Sequence, residues 1–247
     1  REIAQSWPGG FAEYIAIPPE AIIRGSIHHL PGEVSFEEAT LSEPASSCIN
    51  AHERVGTTLG ETVVIIGAGP VGCLHLEVAR ARGASRVIMV DVQESRLRRA
   101  ERFHPDLLIK SDENGSHVDR VVDFTGGWGA QVVIVACSSA KAQQEAIHMV
   151  CKGGRVLLFG GLPPDVSEVP LSTNLIHYRG IHVMGAFSFS PRHHVLSIRM
   201  IAEKKIHARE YITHLLPLER FQEGIDALLR GDALKVVLKP GDFTIQV

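Results

Sequence analysis

The chain has 247 residues, 45% of them hydrophobic and 21% charged, with a formal net charge of −3. That length admits one large or two ordinary domains, and the composition is that of a globular protein with material for a sizeable core. The small negative charge gives no electrostatic case for nucleic acid or an anionic membrane surface, and no apolar run approaches the ~18 residues that suggest a membrane span.

The sequence begins at Arg1 with a pattern already under way, which we read as the remainder of a longer chain, and its first residues show no signal-peptide pattern. Residues 11–17 alternate loosely as a strand, which Pro18 and Pro19 end, and 22–30 is an irregular connection. Ser35-Phe-Glu-Glu38 has the form of a capping box and opens a helix that Pro44 interrupts; a second helix is expected over 45–55. Strand and helix then alternate. Strands are expected at 62–66, 86–90, 107–109, 131–136, 155–159 and 180–184. Helices are expected at 70–82, 94–102, 117–125 and 140–151. In the first of these, Val71, Leu74, Val78 and Ala81 form the buried stripe. Such alternation reads as a doubly wound parallel sheet. The tail differs, with helices at 191–204 and 218–229 and strands at 211–215 and 235–239. It either extends the sheet or returns to a second domain.

The most informative stretch is Thr62-Val-Val-Ile-Ile-Gly67-Ala-Gly69-Pro70-Val71-Gly72. A β-branched run meets a G-x-G-x-x-G turn that opens a helix, and a second apolar run ends in Asp91 roughly 20 residues on. Gly67 permits the tight turn, Gly69 lets backbone approach a pyrophosphate, and Gly72 lets helix and strand pack closely. The helix start offers N–H groups and partial positive charge to phosphates. Asp91 accepts from ribose hydroxyls and repels a 2′-phosphate, and Val92 after it is no base, so NAD is expected rather than NADP. Arg96 is the basic residue nearest this site and is placed to cover the adenine, whereas Arg98 and Arg99 read as a solvated helix face. A plain strand–helix turn would leave three glycines, each with a backbone cost, unexplained.

Cys48, Cys73, Cys137 and Cys151 lack C-x-x-C spacing and read as buried free thiols of a cytoplasmic protein. The 13 histidines include no metal-site spacing, and all are taken as loop, surface or satisfied core residues.

Four segments give the chain a resemblance to the zinc-type medium-chain dehydrogenases, in their sorbitol and L-threonine dehydrogenase branch. They are Gly9-Gly-Phe-Ala-Glu-Tyr14 with Ile17-Pro18; Ser35 to Ala39 followed by Glu43-Pro44; the glycine turn with Asp91 and Arg96; and Ile212-Thr-His214, Pro217-Leu218, 227–231 and 235–240 in the tail. The resemblance implies a Rossmann doubly wound sheet plus the remnant of a GroES-like, β-rich catalytic domain. Residues 1–45 and 187–247 would belong to the catalytic domain and 46–186 to the NAD-binding domain. It also implies a homodimer or homotetramer, with the strand at 180–184 pairing across a two-fold axis.

By the same resemblance, Glu43 sits at a catalytic zinc, as ligand or as partner of the metal-bound water; a first-turn helix acid is the plainer alternative. Cys137 and Ser138 would lie near the adenosine, Phe159, Gly160 and Gly161 along the nicotinamide ribose, and Phe187 on the cofactor side. Gly160-Gly161 could equally be a plain turn, and Ser188 stands where the sorbitol branch usually has Arg. Ser46 and Ser47 either border the nicotinamide or cap the broken helix, and Gln131 replaces the usual Asp before the fourth strand with no derived consequence. The segment with the other zinc ligands and the proton relay has no counterpart, and Ala51-His52-Glu53 reads as a helix face rather than that segment. Zinc is therefore expected only with additional chain.

The expected activity is NAD-dependent oxidation of a secondary alcohol or polyol. The alternatives are a non-catalytic NAD-binding module, a zinc-independent reductase of the same superfamily, and a binder of FAD or another adenosine cofactor.

Overall fold

The structure, a computed structural model, describes residues 7–166 and 168–241. In chain order the elements are α1 (Pro19–Ile23), α2 (Phe36–Ala39), α3 (Ser42–Val55), β1 (Thr62–Ile66), α4 (Pro70–Ala81), β2 (Arg86–Asp91) and α5 (Glu94–Ala100). There follow β3 (Leu107–Lys110), α6 (Ser116–Phe124), β4 (Ala130–Val135), α7 (Ala140–Met149), β5 (Val150–Leu158), α8 (Thr173–Arg179), β6 (His182–Gly185) and α9 (Pro191–Ala202). The tail holds β7 (Ile212–Pro217), α10 (Phe221–Leu229) and β8 (Lys235–Lys239).

Two compact units result, Ser42–Ile206 and Arg1–Leu41 with His207–Val247. The first is a six-stranded sheet of order β3-β2-β1-β4-β5-β6 with every neighbouring pair parallel. The order reverses between β1 and β4, as in a Rossmann sheet, and opens a crevice at the carboxyl ends of those strands. All of β1 and all but Arg86 of β2 are buried, as strands covered by helices on both faces require. Val64, Val90, Ile109, Val133 and Val156 share one core cluster, each side chain contributing about 1.5–3 kcal/mol on burial.

Several elements depart from the sequence reading. Helix α4 has no single stripe: Gly72 through Ala79 are all buried, because the helix lies between the sheet and α3, while Ala81 is exposed. Helix α3 starts at Ser42, with Pro44 inside its first turn, where the missing N–H costs no hydrogen bond. Strand β5 starts at Val150 and runs through Gly153-Gly154 with a register shift against β4. The glycine serves that crossing: a Cβ on Gly154 would lie 3.1 Å from the Gln131 carbonyl oxygen and 2.5 Å from Val150. The short helix α8 lies between β5 and β6, where the sequence reading places no element.

The domain borders also differ. Helices α3 and α9 pack together through Ser46 Oγ, which donates to Ser197 Oγ at 3.0 Å, and through Ser42 Oγ and His194 Nε2 at 2.9 Å. The breaks therefore follow Leu41 and Ile206 rather than residues 45 and 186.

In the other unit, β7 and β8 form their own two-stranded parallel sheet, joined by α10, so the tail does not extend the large sheet. Residues 11–17 form no strand, and Phe11, Tyr14, Ile15 and Ile17 stand exposed. Residues 19–23, expected in part as irregular chain, are the short helix α1, opened by Pro19. The capping box at Ser35 is present, with Glu38 N donating to Ser35 Oγ at 3.2 Å and Ser35 N to Glu38 Oε2 at 3.1 Å.

Candidate functional site

The loops at the carboxyl edge of the sheet bring most of the expected residues together. Gly67 follows β1 with φ +115°, and its N–H donates to the Val90 carbonyl at 2.7 Å. A Cβ there would stand 2.9 Å from the Ala136 carbonyl oxygen. At Gly72 a Cβ would fall 1.8 Å from the Gly67 carbonyl oxygen, so turn and helix close on each other with no room for a side chain. Gly69 is different: its φ is −75° and nothing lies within 4 Å of a Cβ. The approach to the N-terminus of α4 is open at that residue. Pro70 takes the first helical position, and half-buried Val71 accepts a long hydrogen bond from Cys48 Sγ through its carbonyl.

Asp91 ends β2 and is 5% exposed. Its Oδ2 accepts from Ala68 N at 2.7 Å and its Oδ1 from Gln93 N at 2.8 Å. The carboxylate therefore anchors the glycine turn from the neighbouring strand. Arg96 Nη1 stands 3.9 Å from Asp91 Oδ2 and is half exposed. Val92 is exposed beside it, and so is Arg98, while Arg99 is partly covered.

Cys137 and Ser138 follow β4, the first half-buried and the second exposed. Burial, reinforced by the Asp91 carboxylate, raises the Cys137 thiol above its ordinary range. Gly160 follows β5, and a Cβ there would lie 2.3 Å from the Cys137 carbonyl oxygen. That glycine is demanded by close approach of the loops after β4 and β5, whereas Gly161 faces open space. Phe187, after β6, is 84% exposed. Cys48 and Cys73 are the fully buried thiols, Cys73 pushed up to about 12 by burial and then by Glu77; Cys151, like Cys137, is only half-buried.

Glu43 stands apart from this edge in sequence, in the first turn of α3, where it is exposed. Among the described residues no three His, Cys, Asp or Glu side chains gather where they could hold a metal ion. The described donor set therefore does not fit a catalytic zinc. Ser46 does not cap the helix: it is buried, and its Oγ, which lies against Ser197 Oγ, is also within hydrogen-bond distance of the Ser42 carbonyl. Gln131 has a role after all, since its Oε1 accepts from Thr62 N at 2.8 Å and closes the open start of β1.

Two histidines correct the sequence reading. His52 lies on a helix face as expected but is not a satisfied core residue: it is fully buried, with Nδ1 2.8 Å from Thr57 Oγ1 and no partner for Nε2. His75, on α4, is fully buried with neither ring nitrogen hydrogen-bonded. The rings lie 5.2 Å apart, and His75 meets Phe159 edge-on at 4.5 Å. Burial, and then Arg82, lowers His52 to about 3; burial, and then His52, puts His75 well below its ordinary value. Nothing in the sequence marked this pair, because the burial of α4 on all sides follows from its packing against α3.

Residues 70–203 match the family model described as zinc-binding dehydrogenase. Sorbitol dehydrogenase of Homo sapiens is 36% identical over 214 residues, covering 86% of this chain and 58% of that one. Erythritol/L-threitol dehydrogenase of Mycolicibacterium smegmatis is 31% identical over 236 residues, covering 94% of this chain and 62% of that one. The chain thus spans less than two thirds of the length of these curated relatives. A solved structure from Sinorhizobium meliloti 1021, named as a zinc-binding dehydrogenase bound to NADP, superposes with a TM-score of 0.81 at 25% identity, covering 94% of this chain and 66% of that one. With the glycine turn, its anchoring acid and the doubly wound sheet in place, the chain belongs to the zinc-binding dehydrogenase family.

Proposed function

We propose that the protein is the cofactor-binding part of an NAD-dependent, zinc-type dehydrogenase that oxidises a secondary alcohol or polyol. The observation that carries this reading is Asp91: buried at the end of β2, it holds the turn through Ala68 N while standing at the crevice where strand order reverses. The residues fit a dinucleotide. The free N–H groups of the first turn of α4 would face the pyrophosphate, with Gly69 leaving the approach clear. Asp91 would accept from the adenosine ribose, and its charge would disfavour the 2′-phosphate that the Sinorhizobium relative's NADP carries. Cys137 and Ser138 would border the adenosine; Phe159, Gly160, Gly161 and Phe187 would border the nicotinamide half. NAD, when bound, supplies the hydride acceptor; the chain's own part is orientation and exclusion of water. The sorbitol and erythritol/L-threitol dehydrogenases among the relatives support a polyol or related alcohol as substrate. Glu43 is the acid proposed for the metal side of the reaction.

Titration calorimetry with NADH and NADPH tests the cofactor assignment, and NADH should bind at least about tenfold tighter, the effect of one unfavourable charge contact. Equal affinity, or tighter NADPH, would reject it. Zinc content and turnover over a polyol panel test the activity. A second reading, a module that binds NAD without oxidising an alcohol, is favoured by the lack of a metal-holding group among the described residues. Tight NADH binding without zinc or turnover would establish it.

We also propose a cytoplasmic location and a homodimer or homotetramer. No helix among the described residues is long and apolar enough to cross a membrane. Strand β6 is an edge of the large sheet, with one row of backbone groups open to a second copy. A monomeric mass in solution scattering would exclude that assembly.

A further inference from the structure

The loop between β6 and α9 carries an unusual backbone. Ser188 has φ +59°, a left-handed conformation uncommon for a residue with a Cβ. Such a conformation persists where its surroundings over-determine it, and it concentrates at functional sites. Helix α3 supplies the surroundings. Asn50, 8% exposed, donates from Nδ2 to the Ser188 carbonyl at 2.8 Å. Three residues on, and on the same helix face, Glu53 Oε2 lies 3.0 Å from His193 Nε2 and also accepts from Arg192. His193 Nδ1 in turn accepts from Ser190 N at 3.0 Å, closing the start of α9. The loop is thus pinned at Ser188 and Ser190, while the residue just before, Phe187, leaves its ring 84% exposed at the carboxyl edge of the sheet. An aromatic ring held out on a pinned, left-handed loop gains nothing from the fold itself.

We infer that Asn50 is a positioning residue for the cofactor: by holding the Ser188 carbonyl it fixes the backbone that presents Phe187 to the nicotinamide half of the dinucleotide. Asn50 touches no cofactor and acts only through the loop. The inference rests on the dinucleotide reading of the crevice.

The test compares NADH with ADP-ribose, which lacks the nicotinamide half, by titration calorimetry on wild type, Asn50→Leu, Phe187→Ala and the double variant. Asn50→Leu and Phe187→Ala should each weaken NADH by about tenfold, the size of one lost aromatic contact, and leave ADP-ribose within about twofold. The double variant should lose no more than Phe187→Ala alone, because both changes remove one interaction. Should Asn50→Leu fail to fold, Asn50→Ala, which removes the donor without adding bulk, is read in the same way. Equal weakening of NADH and ADP-ribose would assign Asn50 a merely structural role and overturn the inference. So would unchanged NADH affinity in either single variant, or losses that multiply in the double. A wild-type protein that binds neither ligand would instead overturn the dinucleotide reading, and this inference with it.

Discussion

The two ends of the proposed cofactor crevice are built on opposite plans. At the pyrophosphate end, backbone meets backbone: Gly72 against Gly67 and Gly67 against Ala136 leave no space for a side chain. The geometry there is set by chain path and by one buried carboxylate. At the nicotinamide end, the loop after β6 is held by side chains reaching from a separate helix, Asn50 and Glu53, and its aromatic residue stands in solvent. A backbone-built site tolerates no side chain at its points of contact, whereas a side-chain-built site can be retuned one residue at a time.

The sharpest way to break this contrast is Gly72→Ala. With the Gly67 oxygen 1.8 Å from the new Cβ, the turn must move, and a loss of about 3 kcal/mol or more is expected. Urea unfolding measures it, and a loss below about 1 kcal/mol would show that the turn yields. Asp91→Ala should cost about 2 kcal/mol, because it strands the buried N–H of Ala68 and frees that of Gln93, and should also abolish the preference for NADH over NADPH. Stability unchanged within about 0.5 kcal/mol would mean that Asp91 does not anchor the turn.

Acid should loosen the backbone-built end through the histidines behind α4. Burial keeps His52 neutral down to about 3, while the unfolded chain takes up protons near 6.5. The His52 contribution is therefore complete above pH 6.5 and is lost as the pH falls towards 3, at about 1.4 kcal/mol per pH unit, and His75, held well below its ordinary value by burial, acts in the same direction. Between pH 7 and pH 5, His75→Leu should lose less stability than wild type, measured by urea unfolding at each pH. Parallel pH profiles for the two proteins would reject a neutral buried His75.

Gly69→Ala sharpens the contrast from the other side. Its Cβ meets nothing and its φ suits alanine, so stability should hold within about 0.5 kcal/mol while NADH affinity falls about tenfold. Unchanged affinity would remove Gly69 from the phosphate path. The smallest effect is expected at Glu43→Gln, where NADH affinity should stay within about twofold, since the acid is assigned to the metal side of the reaction. A larger change by calorimetry would move Glu43 into the cofactor site.

The backbone-built end was also the legible end. Gly67, Gly72 and Asp91 each carry a local steric or charge requirement that shows in spacing, so order, strands and turn could be read directly. The other end depends on contacts between residues far apart in the chain. Nothing near Asn50 announces that it will meet Ser188, 138 positions on. Likewise, the all-round burial of α4 and the buried state of His52 depend on α3 lying across that helix, and periodicity within one segment does not report it. Residues 11–17 differ for the complementary reason: their alternation is strand-like, but a strand needs backbone pairing as well, and none of them takes strand form.

Asp91 carries a further consequence for how this cofactor site can change over time. An ionised carboxylate offers about four acceptor positions. Two are already engaged by the N–H groups of Ala68 and Gln93, which leaves about as many as the two hydroxyls of an unphosphorylated ribose require. Replacing the acid to admit a 2′-phosphate would detach the turn at the same stroke. Redesign towards NADP must therefore first supply another acceptor for the Ala68 N–H, so that cofactor choice and the integrity of the turn are inherited together.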